Sequence, residues 1–147
     1  TDFNEYRLEL AKKLGLVDYV FTPDEAMEGI MKVTNGHGVE RAIDASASDP
    51  GRQLAIRATR EWGKIAFVGE GGTCTFNPSP DIIHGQKTIY GSWVTSLWRM
   101  EELVERLVRW GIHPEDLITH EFPLEKAGEA YALMAGGNCG KVAVVFD

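Results

Sequence analysis

The run Ile65-Ala66-Phe67-Val68, bounded by Lys64 and Gly69, is apolar at every position. A strand with one face in water would show a polar residue at every second site. This one therefore predicts a strand covered on both faces, the pattern of a parallel sheet in an α/β protein. Parallel neighbours need crossover connections, and the chain before Lys64 supplies them. Leu8, Ala11 and Leu14 share one face of a helix expected over residues 4–14, with Gly15 as its left-handed stop. A short strand is expected over 17–21. Thr22-Pro23-Asp24-Glu25 then opens a second helix that ends before Asn35-Gly36. Residues 39–45 read as a strand, and Asp49-Pro50 is expected to cap a helix reaching near Trp62-Gly63. The alternation predicts right-handed βαβ units in a doubly wound sheet.

After Gly69 the rhythm changes. Gly71-Gly72 leads to an expected short strand over 73–77, a capped turn at Ser79-Pro80-Asp81, and a strand over 88–94. Met100, Leu103, Val104, Leu107 and Val108 recur at helical spacing, so an amphipathic helix is expected over 99–110, closed by Gly111. A strand over 120–122, a helix marked by Leu124, Ala127, Tyr131 and Met134, and a strand over 141–146 follow. No internal repeat or low-complexity linker interrupts them.

Composition narrows the function classes. Fifteen Lys and Arg against 22 Asp and Glu leave a net charge of −7, which repels phosphate backbones and anionic lipid. Nucleic acid is not an expected partner. No apolar run approaches the ~20 residues that span a bilayer, so no membrane partner is expected either. Two cysteines, Cys74 and Cys139, give no disulfide framework, and a reducing cytoplasm fits them best. The chain opens on Thr1 and runs straight into a helix, which reads as part of something longer.

Few residues advertise chemistry. Asp2, at the tip of a strand in a dinucleotide-binding fold, could accept hydrogen bonds from both adenosine ribose hydroxyls and repel a 2′-phosphate, selecting NAD over NADP. It could equally be an acid favoured by a helix N-terminus. Arg7 could reach the same ribose or a phosphate, or be a solvated cation. Val68-Gly69-Glu70, at a strand end, offers backbone on which a flat ring could lie, or simply a tight turn. Lys141, opening a strand after Gly136-Gly137-Asn138-Cys139-Gly140, could meet a pyrophosphate or guard an edge strand. Trp93 is a core aromatic or the wall of an apolar pocket. His37, His84, His113 and His120 show no ligand spacing, so no metal site and no catalytic residue is expected in this chain. A Gly-x-Gly-x-x-Gly phosphate loop is not found in it.

Taken together and in order, several segments resemble the carboxy-terminal part of a medium-chain, zinc-dependent alcohol or polyol dehydrogenase of the sorbitol dehydrogenase-like branch. They are Thr1-Asp2-Phe3, Arg7 to Gly15, Gly38-Val39 with Ile43-Asp44-Ala45-Ser46, Gly63 to Gly69, Ile89-Tyr90-Gly91-Ser92-Trp93, Ile118 to Leu124 with Ala127 and Ala130, and Gly140-Lys141-Val142. The resemblance implies a partial Rossmann sheet lacking its first strand over residues 1–96. It implies a returning segment of the GroES-like catalytic domain over 97–147.

It also implies roles. Asp2 would bind the adenosine ribose of NAD, Phe3 would flank the adenine, and Arg7 would sit beside the ribose. Ile43 and Asp44 would lie along the cofactor cleft, and Val68, Gly69 and Glu70 would face the nicotinamide. Ser92 and Val94 would bracket its carboxamide through backbone atoms. Lys141 would stand where the family places a pyrophosphate-binding cation, and Trp93 would help line the substrate pocket. The strand over 88–93 would pair with a two-fold mate in a homodimer. The catalytic zinc and proton relay would lie outside these residues, so the chain alone would not turn over its alcohol or polyol and would bind NAD weakly. A noncatalytic α/β binding or assembly module and a zinc-free quinone or enoyl reductase fragment are the alternatives; the second sits poorly with Asp2, since such reductases usually prefer NADP.

Overall fold

The computed structural model describes residues 1–15 and 17–146. In chain order the elements are α1 (Glu5–Leu14), α2 (Pro23–Val33), β1 (Val39–Asp44), α3 (Asp49–Ala58), β2 (Thr59–Phe67), β3 (Thr88–Gly91), α4 (Leu97–Trp110), β4 (Ile118–Pro123), α5 (Ala127–Gly136) and β5 (Lys141–Val145). The chain divides into two compact units, Pro23–Val94 and Thr1–Thr22 with Thr95–Asp147. Both contain parallel strands and helices, the α/β class that the sequence predicts.

In the unit Pro23–Val94, β1, β2 and β3 form one parallel sheet in that order. Helix α3 is the crossover between β1 and β2, and its apolar face supplies Ala55, Ile56 and Ala58 to a core that also holds Ala26 and Ile65. Ile56 and Ile65 are wholly buried, but the apolar run is not covered along its whole length as expected: Ala66 and Phe67 are half-buried and Val68 is exposed where the strand runs out of the sheet. Ser48, rather than the expected Asp49, caps α3: its hydroxyl accepts the Gly51 N–H at 3.1 Å, and Asp49 is already the first helical residue. The helix stops at Ala58 rather than near Trp62. Thr59 turns to extended backbone while its hydroxyl donates to the Ala55 carbonyl at 2.7 Å, and it already pairs with Val39. The register then jumps, because Arg41 faces Lys64. The surplus residues bulge out, with Trp62 at φ 60° and its N–H donated to the Gly85 carbonyl at 2.8 Å. Gly38 admits no side chain beside this joint, since a Cβ there would lie 2.5 Å from the Ala58 carbonyl oxygen.

The strand expected over 73–77 does not form. Its backbone donors are taken by carboxylates instead: the Thr75 N–H by Asp49 and the Asn77 N–H by Asp81, the latter at 2.8 Å. A single π-type turn, Ser79–Ile83, follows. Strand β3 is shorter than the expected 88–94. Its ladder ends at Gly91, and Val94 at φ 42° has left extended backbone altogether.

In the other unit, Asn4 caps α1 by accepting the Arg7 N–H at 3.2 Å, and Gly15 at φ 65° closes it. Residues 17–21, expected as a strand, make no ladder. The Asp2 N–H reaches the Phe21 carbonyl at 3.4 Å, but among the described residues no strand runs alongside. Strands β4 and β5 pair in parallel from Ile118↔Lys141 to Pro123↔Val145, and α5 packs on both, burying Ala130. Helix α4 forms as its periodicity predicts, closed by Gly111 at φ 64°. None of its residues is buried, Leu97, Val104 and Val108 least of all. No helix among the described residues is long and apolar enough to cross a membrane.

Candidate functional site

Parallel strands in register end together, and ligands in open α/β sheets bind outside those carboxyl ends. Asp44, Phe67 and Gly91 stand level across β1, β2 and β3. The ladder continues one step further, with the Val68 and Gly69 N–H groups both donated to the Asp44 carbonyl at 2.9 and 3.1 Å and the Ser92 N–H to the Phe67 carbonyl at 3.0 Å. This brings Ile43, Asp44, Val68, Gly69, Glu70, Ser92, Trp93 and Val94 to one edge of the sheet. Ile43, Trp93 and Val94 are 73%, 69% and 77% exposed there, and Val68 is also exposed. Side chains of this kind belong in a core unless they line a contact surface. Because the Ser92 N–H is committed to Phe67, any contact it makes with a ligand runs through its carbonyl or hydroxyl.

Asp44 differs from its neighbours, being buried rather than open to a ligand. One carboxylate oxygen accepts the Ser46 N–H at 3.1 Å and the Ser46 hydroxyl at 2.6 Å; the other accepts the Ala47 N–H at 3.3 Å. These bonds fold the turn after β1 tightly enough to hold Ala47 at φ 58°, in the left-handed region. Arg52, on the first turns of α3, brings its Nε to 3.4 Å from Asp44 and is itself buried. Its two terminal nitrogens donate to the Gly69 carbonyl at 2.8 Å and the Thr73 carbonyl at 3.1 Å, and its guanidinium lies 5.4 Å from the centre of the Phe67 ring. Sequence reading passes over Arg52. The available signal is an acid ending a strand and a cation eight residues later on the following helix, at a distance that only the fold closes.

The remaining candidates lie in the other unit. Asp2 accepts the Asn4 N–H at 2.9 Å and faces the Arg7 guanidinium at 4.0 Å, both side chains partly exposed. Phe3 is 84% exposed. Phe3, Asn4, Glu5, Tyr6, Glu9 and Asn138 line an open groove of about 550 Å³. The Asn4 side chain donates to the Gly137 carbonyl at 2.9 Å, tying the cap of α1 to the loop before β5. Lys141 stands exposed at the first position of β5, opposite Ile118.

Two of the histidines have local partners. His113 pairs with Glu115 at 3.0 Å on the surface. Glu115 is held below the usual carboxylate range, chiefly by its own backbone N–H and then by His113. His120 contacts the Thr119 hydroxyl at 2.9 Å. Burial, with Asp49 adding to it, pushes the Cys74 thiol up, away from a reactive thiolate. Cys139 is fully buried. Among the described residues no three His, Cys, Asp or Glu side chains stand close enough to hold a metal ion.

Residues 1–109 match the family model described as zinc-binding dehydrogenase. A zinc-type alcohol dehydrogenase-like protein of Escherichia coli (strain K12), YphC, is 45% identical over 142 residues, covering 95% of this chain and 40% of that protein. The L-threonine 3-dehydrogenase of Shewanella sediminis is 32% identical over 154 residues, covering 100% of this chain and 43% of that protein. Among solved structures, benzyl alcohol dehydrogenase from Acinetobacter calcoaceticus superposes with a TM-score of 0.83 at 27% identity, over 99% of this chain and 41% of that one. The chain thus spans well under half the length of the relatives it matches.

Proposed function

Because the chain belongs to the zinc-binding dehydrogenase family, we propose that it forms the cofactor-binding and carboxy-terminal part of an oxidoreductase that moves hydride from a secondary alcohol or polyol to NAD. The observation that carries this reading is the shared edge where β1, β2 and β3 end, with exposed apolar side chains around backbone that the sheet holds in register. A flat, partly apolar ring suits such an edge. Gly69 fits it too, since a Cβ there would lie 2.5 Å from the Ala47 backbone nitrogen, so the turns after β1 and β2 meet without intervening side chains.

NAD, when bound, supplies the hydride acceptor. The chain's own residues bind and orient. Val68, Gly69 and Glu70 would present the floor for the nicotinamide, with Ser92 and Val94 beside its carboxamide and Trp93 toward the substrate. In the other unit, taken by itself, Asp2 would take ribose hydroxyls, with Phe3 against an adenine and Arg7 nearby, and Lys141 would meet a pyrophosphate, roles that the family resemblance supports. The side chain of Asp44 holds the rim rather than the ligand. The described residues hold no ligand set for the zinc that the family name implies. The exposed edge of β3 would carry a two-fold partner.

Asp2 gives the test. Its ties to the fold are one local hydrogen bond and a long, half-exposed ion pair. Asp2→Ala should weaken NADH binding at least about tenfold, the worth of one charge-assisted hydrogen bond, and raise relative affinity for NADPH. Stability should change by less than about 1 kcal/mol. Fluorescence titration with both cofactors checks it, and unchanged NADH affinity refutes the ribose role.

A further inference from the structure

Arg52 joins three segments that β1 and β2 alone leave independent. Its Nε faces Asp44, at the end of β1, at 3.4 Å, one nitrogen holds the Gly69 carbonyl at 2.8 Å, and another holds the Thr73 carbonyl at 3.1 Å. Gly69 and Thr73 are the two ends of a glycine-rich turn inside the longer loop, residues 68–78, that follows β2. The guanidinium therefore closes this turn from inside, as a staple with one leg on each end. The loop between the legs contains Gly71 at φ 83° and Gly72 at φ 65°. Gly72 rests so closely on the Ala47 carbonyl that no Cβ fits, and Ala47 is itself held in the left-handed region by Asp44. Without the staple, two adjacent glycines would leave this loop many conformations. With it, Glu70 and the backbone around it are presented in one.

We propose that Arg52 is a positioning residue for the ligand bound at the carboxyl ends of β1 and β2, setting the conformation of residues 69–73 through its two carbonyl contacts while its charge is balanced by Asp44. The proposal rests on the reading of that edge as the nicotinamide side of an NAD site. Arg52 touches no ligand in this scheme. Its effect on binding comes from pre-organisation: a loop already ordered loses less freedom when a ligand arrives. Only a planar, forked cation can satisfy a carboxylate and two carbonyls on different segments at once, so Lys is not an equivalent replacement.

The experiment uses the protein as its gene encodes it. Arg52→Lys keeps a cation for Asp44 but cannot bridge both carbonyls. The double variant Asp44→Asn with Arg52→Gln removes both buried charges together and guards against misfolding from an unpaired one. Hydrogen exchange and NADH titration are measured on each. In both variants the Gly69 amide, donated to the Asp44 carbonyl, should exchange at least about tenfold faster while the amides of β1 and β2 keep their protection. The Kd for NADH should rise about tenfold, and KM for the dinucleotide should rise more than kcat falls, because the loss is in binding. Exchange of the Gly69 amide equal to wild type overturns the staple, and faster exchange with unchanged NADH affinity overturns the positioning role alone. A wild-type protein with no measurable affinity for NADH overturns the cofactor reading, and the positioning role falls with it.

Discussion

Single side chains at the strand ends divide into those that hold the rim and those that the rim presents. Asp44 and Arg52 are buried and tied to backbone, the Arg52 Nε alone making no hydrogen bond and facing the Asp44 carboxylate at 3.4 Å, whereas Ile43, Trp93 and Val94 are exposed. Glycine does the finer work. Gly72 combines φ 65° with a backbone carbonyl where a Cβ would sit, while Gly71, at φ 83°, has open space. Gly72→Ala must therefore displace backbone as well as strain its own dihedrals, and should cost more than about 2 kcal/mol. Gly71→Ala meets only the dihedral penalty, about 1–2 kcal/mol. Urea denaturation of the two variants side by side checks the difference, and equal losses would mean that the contact with Ala47 yields freely. The Gly71-Gly72 turn is legible in the sequence as a break; which of the two glycines is sterically required is not, because the obstructing atom belongs to a residue in a different turn.

At the level of elements, the fold depends on how helices terminate against the sheet. Lys87, just before β3, donates its ammonium to the Ile56 carbonyl near the C-terminal end of α3 at 2.7 Å, which pins the start of β3 to the crossover helix. Burial lowers its pKa, only partly offset by Asp81. The folded protein thus releases this proton at lower pH than the unfolded chain does. Between the depressed pKa and the ordinary lysine value near ~10.4, the unfolded state binds more protons, so this group makes stability rise with pH. Lys87→Met should remove that contribution: the stability difference between wild type and variant should grow in favour of wild type across that window, as read from urea midpoints. A constant difference would show that the ammonium is as well solvated in the fold as out of it. The sequence reading finds α3, β2 and β3 but sets the end of α3 about one turn late. Thr59 can continue a helix by its own propensity, and only pairing with Val39 makes it a strand. Residues 73–77 fail as a strand for the converse reason, since Asp49 and Asp81 take their donors.

For the molecule as a whole, the free edge of β3, the end strand of its sheet, is the surface that a second copy would meet. Tyr90 on that strand is 48% exposed, and the sheet shows no device such as a charge or proline on β3 to blunt pairing beyond Thr88. If two copies join through it, Tyr90→Lys should raise the dimer dissociation constant at least tenfold with little change in the unfolding of each subunit, since edge charges oppose strand addition. Sedimentation velocity across a concentration series checks this, and a wild type that stays monomeric removes the premise. The sequence by itself determined the α/β class, the broad order of helices and strands, the helix stops Gly15 and Gly111, and the apolar face of α4. Those features are set by residues within one or two helical turns of each other, so local pattern suffices. The tertiary structure decided that Asp44 is a buried strut rather than an open ligand group, that Arg52 matters at all, and that residues 17–21 and 73–77 are not strands. In each case the deciding partner is remote in sequence or missing from the neighbourhood, and a backbone or charged group takes its role from whichever partner satisfies it.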